Sequence, residues 1–208
     1  MSTNAPAKAD IALWPTADER ARERAAKRDA VLRVAVRLFN EKGFRATSLD
    51  DVAGVLNVTK PTIYHYFANK DEVLFACVQL GLDHIREAVA AAVTRPGTGR
   101  DRLEALLLAY AEMMTQDFGI CVIRTSEREL SAESAKRFRV LKRDIDSIIR
   151  SVIADGVADG SLAVKDVRLC AFAFAGALNG LSQWFDPAGP DDAAAVARGM
   201  VGQLMAGV

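Results

Sequence analysis

Five side chains within one seven-residue stretch, Lys60, Thr62, Tyr64, His65 and Tyr66, carry the densest polar chemistry of this 208-residue chain. An ammonium, three hydroxyls and an imidazole offer hydrogen bonds to a partner, and a short helix that exposes them buries little of itself. Such a helix suits a polar, anionic surface, and DNA is the first candidate.

The residues around this stretch are predicted to position it. Ser48 stands three residues before Asp51, a Ser-x-x-acid helix start, and Leu49, Val52, Ala53 and Leu56 then give one apolar face. Asn57-Val58 breaks that helix without a proline or a long loop. Thr59 is placed to cap the next one, and Pro61 is acceptable in its first turn, where amide donors lack partners. Ile63 and Phe67, four residues apart, tie this second helix to a core. Asn69 followed by Glu72 starts a third. Two helices joined by so short a turn form a helix-turn-helix, whose second helix enters the major groove.

From about Arg28 to Leu74 the chain resembles the tetracycline-repressor (TetR) family of bacterial transcriptional regulators. The matching residues include Leu38-Phe39, Gly43-Phe44, Ala46-Thr47-Ser48, Asp51-Val52-Ala53, Val58-Thr59-Lys60, the run from Ile63 to Phe67, and Lys70. Asn57 stands where the family usually has glycine, so the turn is expected to use asparagine's tolerance of positive φ. Pro61 occurs in only part of the family. The resemblance implies that Thr47, Ser48, Thr59, Lys60, Tyr64, His65, Tyr66 and Lys70 face the duplex. Hydroxyls and lysines would mainly hold phosphates, while Pro61, Thr62 and His65 would meet base edges. It also implies a homodimer whose two recognition helices sit in successive major grooves of a pseudo-palindromic operator.

Composition bounds the alternatives. Half the residues are hydrophobic, yet no apolar run approaches the ~20 residues of a membrane span, so no membrane partner is expected. Residues 1–17 lack the apolar centre of a secretory signal and read as a flexible arm. Residues 1–70 hold 12 Lys/Arg against 8 Asp/Glu, a modest basic excess at the DNA-binding end that an ordinary solvated helix face would also produce. His65 and His84 lie in no metal-ligand or triad spacing. Without a phosphate loop, a G-x-S-x-G motif or a histidine-acid pair beside a nucleophile, no catalytic residue, metal or cofactor is expected. The three cysteines are far apart in apolar surroundings, which fits a cytoplasmic protein.

Hydrophobic spacing maps an all-α chain of about nine helices: 18–42, the two short helices, 70–93, 100–116, 120–130, a long one from Ser131, 164–185 and 191–206. The division is a helix-turn-helix domain over 18–74, with its motif at about 48–67, and a helical domain over 75–208 for effector binding and dimerisation. The last two helices are apolar nearly all round, so each is buried on two sides. An interface with a second copy, centred on Leu178, Leu181, Met200 and Leu204, is the economical reading, and TetR-like proteins dimerise this way. A core hairpin would show the same pattern.

An effector site is expected among the fifth, seventh and eighth helices. Tyr110, Met114, Phe138, Phe174 and Trp184 would line an apolar cavity, with Arg124 or Asn179 meeting the polar end of the ligand. The segment 178–187 is similar to a subgroup of TetR-like regulators of fatty-acid and steroid catabolism, some of which respond to acyl-CoA thioesters. That likeness implies a hydrophobic effector, a fatty acid or its CoA ester. A thiol sensor at Cys121 is the alternative input, because Arg124 one turn later would favour its thiolate.

Overall fold

A computed structural model describes residues 16–208, so the proposed arm lies almost wholly outside the described residues. The chain forms ten α-helices there and no strand. Helix α1 (Ala17–Lys42) opens with a capping box: the Thr16 amide donates to Glu19 Oε2, and the Glu19 amide donates to Thr16 Oγ1. Its buried stripe of Val31, Leu32, Ala35, Val36, Leu38 and Phe39 joins the protein's core. Helix α2 (Leu49–Val55) starts at the expected Ser48–Asp51 box, and α3 (Lys60–Tyr64) follows after a turn at Asn57, whose φ is 53°. Asparagine tolerates this left-handed conformation better than most residues. Thr59 does not cap α3 with its side chain; its hydroxyl pairs with that of Thr62 at 3.0 Å.

Helix α4 (Lys70–Val93) runs unbroken across the boundary placed at 74/75. One buried apolar cluster extends along it from Val73 through Val78, Leu82 and Ile85 to Val89. Around it pack α5 (Gly99–Met114), α6 (Asp117–Arg124) and α7 (Ala132–Ala158). The expected 120–130 helix starts earlier and ends at Arg124, where Thr125 turns extended. Ser126 and Glu129 then cap a separate 3-10 turn.

The expected 164–185 helix is also divided. Helix α8 (Val167–Asn179) gives way at Gly180 to the single turn α9 (Leu181–Trp184). The Gly180 amide bonds to Ala177 O and the Gln183 amide to Gly180 O, so three-residue turns replace the α-helical ladder where glycine weakens it. Helix α10 (Ala193–Met205) packs on α5. The Arg100 guanidinium fixes its end by donating to the Val208 and Met205 carbonyls.

Candidate nucleic-acid interface and apolar cavity

Helix α3 divides its residues by face. Ile63 and Phe67 are buried, with the Arg28 guanidinium of α1 stacked 4.7 Å from the Phe67 ring centre. Thr59, Lys60, Pro61, Thr62, Tyr64 and His65 remain exposed together. Lys60 Nζ lies 2.8 Å from Asp50 Oδ2, an ion pair open to solvent on both sides. Tyr66 is half-buried, edge-on to His65 and within 5.9 Å of the Arg24 guanidinium. Ser48 is exposed but occupied, its hydroxyl donating to Asp51 Oδ2 at 2.6 Å.

Two expected DNA contacts prove to be internal struts. Thr47 is 1% exposed, and its hydroxyl faces the Leu38 and Gly43 carbonyls at 3.1 and 2.9 Å. Lys70 Nζ donates to the Phe44 and Thr47 carbonyls, each at 2.9 Å, and lies 4.3 Å from the Phe44 ring centre. Both residues brace the loop between α1 and α2. The motif's spacing could not distinguish bracing from contact, because the acceptors are backbone carbonyls of α1 and of the loop after it.

The second domain contains a cavity of about 550 Å³, within the range of small-molecule sites. Leu82 and Ile85 of α4, Tyr110 of α5, and Val122 and Ile123 of α6 form one wall. Ile145 and Ile149 of α7 with Phe172, Ala175 and Asn179 of α8 form the other. Tyr110 donates its phenol proton to Asn179 Oδ1 at 2.7 Å. Burial pushes its pKa up to about 12, partly opposed by that bond, so the phenol stays a neutral donor.

Of the expected lining residues only Tyr110 and Asn179 face this cavity. Met114, Phe138 and Phe174 are spent on the protein core, and Trp184 is 55% exposed on the surface. Arg124 points elsewhere too, donating to Asn40 O of α1 and Ser182 O of α9, each at 2.8 Å. Helical spacing revealed apolar faces but not which face would be left without a neighbour. Walls from α4 and α6 were missed for that reason.

Residues 31–77 match the family described as "Bacterial regulatory proteins, tetR family", and residues 96–208 match "Tetracyclin repressor-like, C-terminal domain". The chain belongs to the TetR family of bacterial transcriptional regulators. It is a DNA-binding regulator of that ligand-responsive, repressor-like type and not an enzyme. Its sequence is 25% identical to the transcriptional repressor KstR2 of Mycobacterium tuberculosis over 187 residues, covering 88% of this chain and 92% of that one. Its fold is similar to that of the TetR-family regulator PfmR of Thermus thermophilus (TM-score 0.78, 29% identity, covering 85% of this chain and 97% of that one). It is also similar to AibR, solved with isovaleryl coenzyme A and operator DNA (TM-score 0.77, 26% identity, covering 86% of this chain and 98% of that one).

This TetR-family chain ties its cavity to its DNA-binding head through α6. Val122 and Ile123 line the cavity, while the same helix holds α1. Arg37 Nε sits 3.3 Å from Asp117 Oδ2, Asn40 Nδ2 donates to Asp117 O at 2.9 Å, and Arg124 reaches Asn40 O. Helix α4 crosses α6 closely at Gly81, where an added Cβ would meet Phe118 O at 2.5 Å. A second tie joins α4 to α7, where the Ser131 amide donates to Asp71 Oδ1 at 2.7 Å.

The thiol alternative finds no support. Cys121 is buried, burial pushes its pKa up to about 12, and Arg124 is engaged with carbonyls. A thiol that stays protonated is a poor sensor.

The dimer expectation is corrected for two of its four residues. Leu178 and Leu181 are 0% exposed within a single copy, so they belong to the protein's own core. Met200 and Leu204 pack partly against that core. What α8 leaves open is Arg168, Leu169, Phe172, Ala173 and Gly176, and what α10 leaves open is Ala195, Arg198, Gly199, Gly202 and Gln203. Added Cβ atoms at Gly176, Gly199 and Gly202 would meet nothing. Among the described residues no single helix is long and apolar enough to cross a membrane.

Proposed function

We propose that this chain is a homodimeric repressor, released from a pseudo-palindromic operator when a hydrophobic acid or its CoA thioester enters the apolar cavity. The observation that carries the proposal is the sharing of α4 and α6: both wall the cavity, and both hold the DNA-binding head. A ligand that spreads α6 from α4 would move α1 through Asp117 and Arg124. The separation of the two α3 helices would then leave the groove repeat of about 34–36 Å. Ligand and operator would weaken each other reciprocally, through a coupling of about 1–3 kcal/mol. That AibR was solved with an acyl-CoA and operator DNA supports the effector class.

The open apolar and small-residue face of α8 and α10 is the proposed subunit interface. Small residues let helices approach closely, and a second copy would cover Leu169 and Phe172. DNA contacts are assigned to Ser48, Thr59, Lys60, Pro61, Thr62, Tyr64, His65 and Tyr66, with Thr47 and Lys70 as their supports. A cytoplasmic location follows from this role.

The test is a titration of fluorescent operator DNA with the protein, followed by addition of decanoyl-CoA or decanoic acid. The expected result is release by one or both compounds. Binding of either compound with operator affinity unchanged would remove the regulatory role, since a ligand indifferent to two states shifts neither. Sedimentation of Leu169→Asp as a dimer like the wild type would refute the interface.

A further inference from the structure

The cavity is apolar within but cationic along one rim. Arg139, Lys142, Arg143 and Arg150 all line it, against a single carboxylate, Asp146. Their spacing along α7 places them on one helix face, with the outermost pair separated by about 16 Å at the rise of an α-helix. Arg139 is paired with Glu127 and Arg150 with Asp146, each at 2.7 Å. Lys142 lies 4.9 Å from the Phe138 ring centre, and neither it nor Arg143 has a carboxylate partner among the described residues. Arg150 Nε is buried without a hydrogen-bond partner. Like charges gathered on one face repel, and a buried donor left unpaired is unfavourable; an anion at the rim relieves both.

We propose that this α7 ridge binds the phosphates of the effector, so that the cavity takes a thioester on a phosphorylated carrier, of the CoA type, in preference to a free acid. The inference rests on the cavity being the effector site. One carboxylate would neutralise one cation. A carrier with a diphosphate and a separate ribose phosphate spreads its charge along the ridge, while its acyl chain reaches inward between Ile149 and Leu82 toward the Tyr110–Asn179 pair. Lys142 and Arg143, exposed and without carboxylate partners, are the phosphate anchors; Arg150, deeper in the rim, meets the carrier arm through its unpaired Nε.

Calorimetric titration of the full chain with decanoyl-CoA, decanoyl-pantetheine and decanoic acid tests this directly. Decanoyl-CoA should bind on the order of 100-fold more tightly than decanoyl-pantetheine, which lacks the phosphates, because two charge-assisted contacts are lost. The double substitution Lys142→Ala/Arg143→Ala should remove that difference and leave decanoyl-pantetheine binding as it was. Lys136→Ala, on the same helix outside the cavity, should change neither. Circular dichroism melting establishes that the variants fold. Equal binding of the two thioesters by the wild type overturns the ridge assignment while leaving the cavity as the effector site. Failure of all three compounds to bind overturns the effector site and the ridge with it.

Discussion

Lys60 offers the sharpest test of how α3 meets DNA, because the structure gives it a competitor. Its ammonium is 2.8 Å from Asp50 Oδ2, with both side chains about half exposed, so a phosphate must share or displace that carboxylate. Each neutralised phosphate contributes a slope of about −0.9 to log K against log salt, so loss of Lys60 from both subunits of a dimer should flatten the slope by about 1.8. Between about 50 and 200 mM salt, wild-type affinity should therefore fall about 12-fold further than that of Lys60→Ala. Asp50→Asn should act in the opposite direction, strengthening binding at low salt by freeing Lys60 and removing a negative charge from the DNA-facing side. Anisotropy titrations of a labelled duplex at several salt concentrations measure both effects. A random-sequence duplex suffices, since phosphate contacts do not read bases. An unchanged slope for Lys60→Ala, or weaker binding by Asp50→Asn, would refute the assignment of Lys60 to a phosphate.

Three further outcomes follow from the geometry. Thr47→Val should lower stability by about 1–3 kcal/mol, because the Leu38 and Gly43 carbonyls lose their donor, while the salt slope stays at its wild-type value; thermal melts and titrations check the two parts. Gly81→Ala should force α6 away from α4 and cost about 1–3 kcal/mol, lowering the melting temperature and operator affinity together. Cys121 should resist thiol reagents at neutral pH in the folded chain. Its pKa is raised by burial from 9.0 to about 12, so the folded chain keeps a proton that the unfolded chain releases. Its contribution to stability is full below pH 9 and is lost as pH rises toward 12, so melting temperatures should decline over that window more in the wild type than in Cys121→Ala.

The amino-acid sequence alone determined the helices of the reading head, because the forces that set them act within a few residues. The Ser48–Asp51 box, the Asn57 turn and the Ile63–Phe67 pair are local features, and the structure contains each as expected. The tertiary structure decided which side chains remain free to act. Thr47 and Lys70 spend their donors on backbone carbonyls, and Arg124 spends its guanidinium on carbonyls 84 and 58 residues away in sequence. The division at Gly180 replaced one helix with two and sent Trp184 to the surface. Periodicity identifies an apolar face but not its partner. Leu178 and Phe172 occupy the same helix, and only packing against α5 and α7 buries the first and leaves the second half exposed at the rim of a cavity. A gap between helices depends on the shapes of all its walls at once, and no local pattern encodes that.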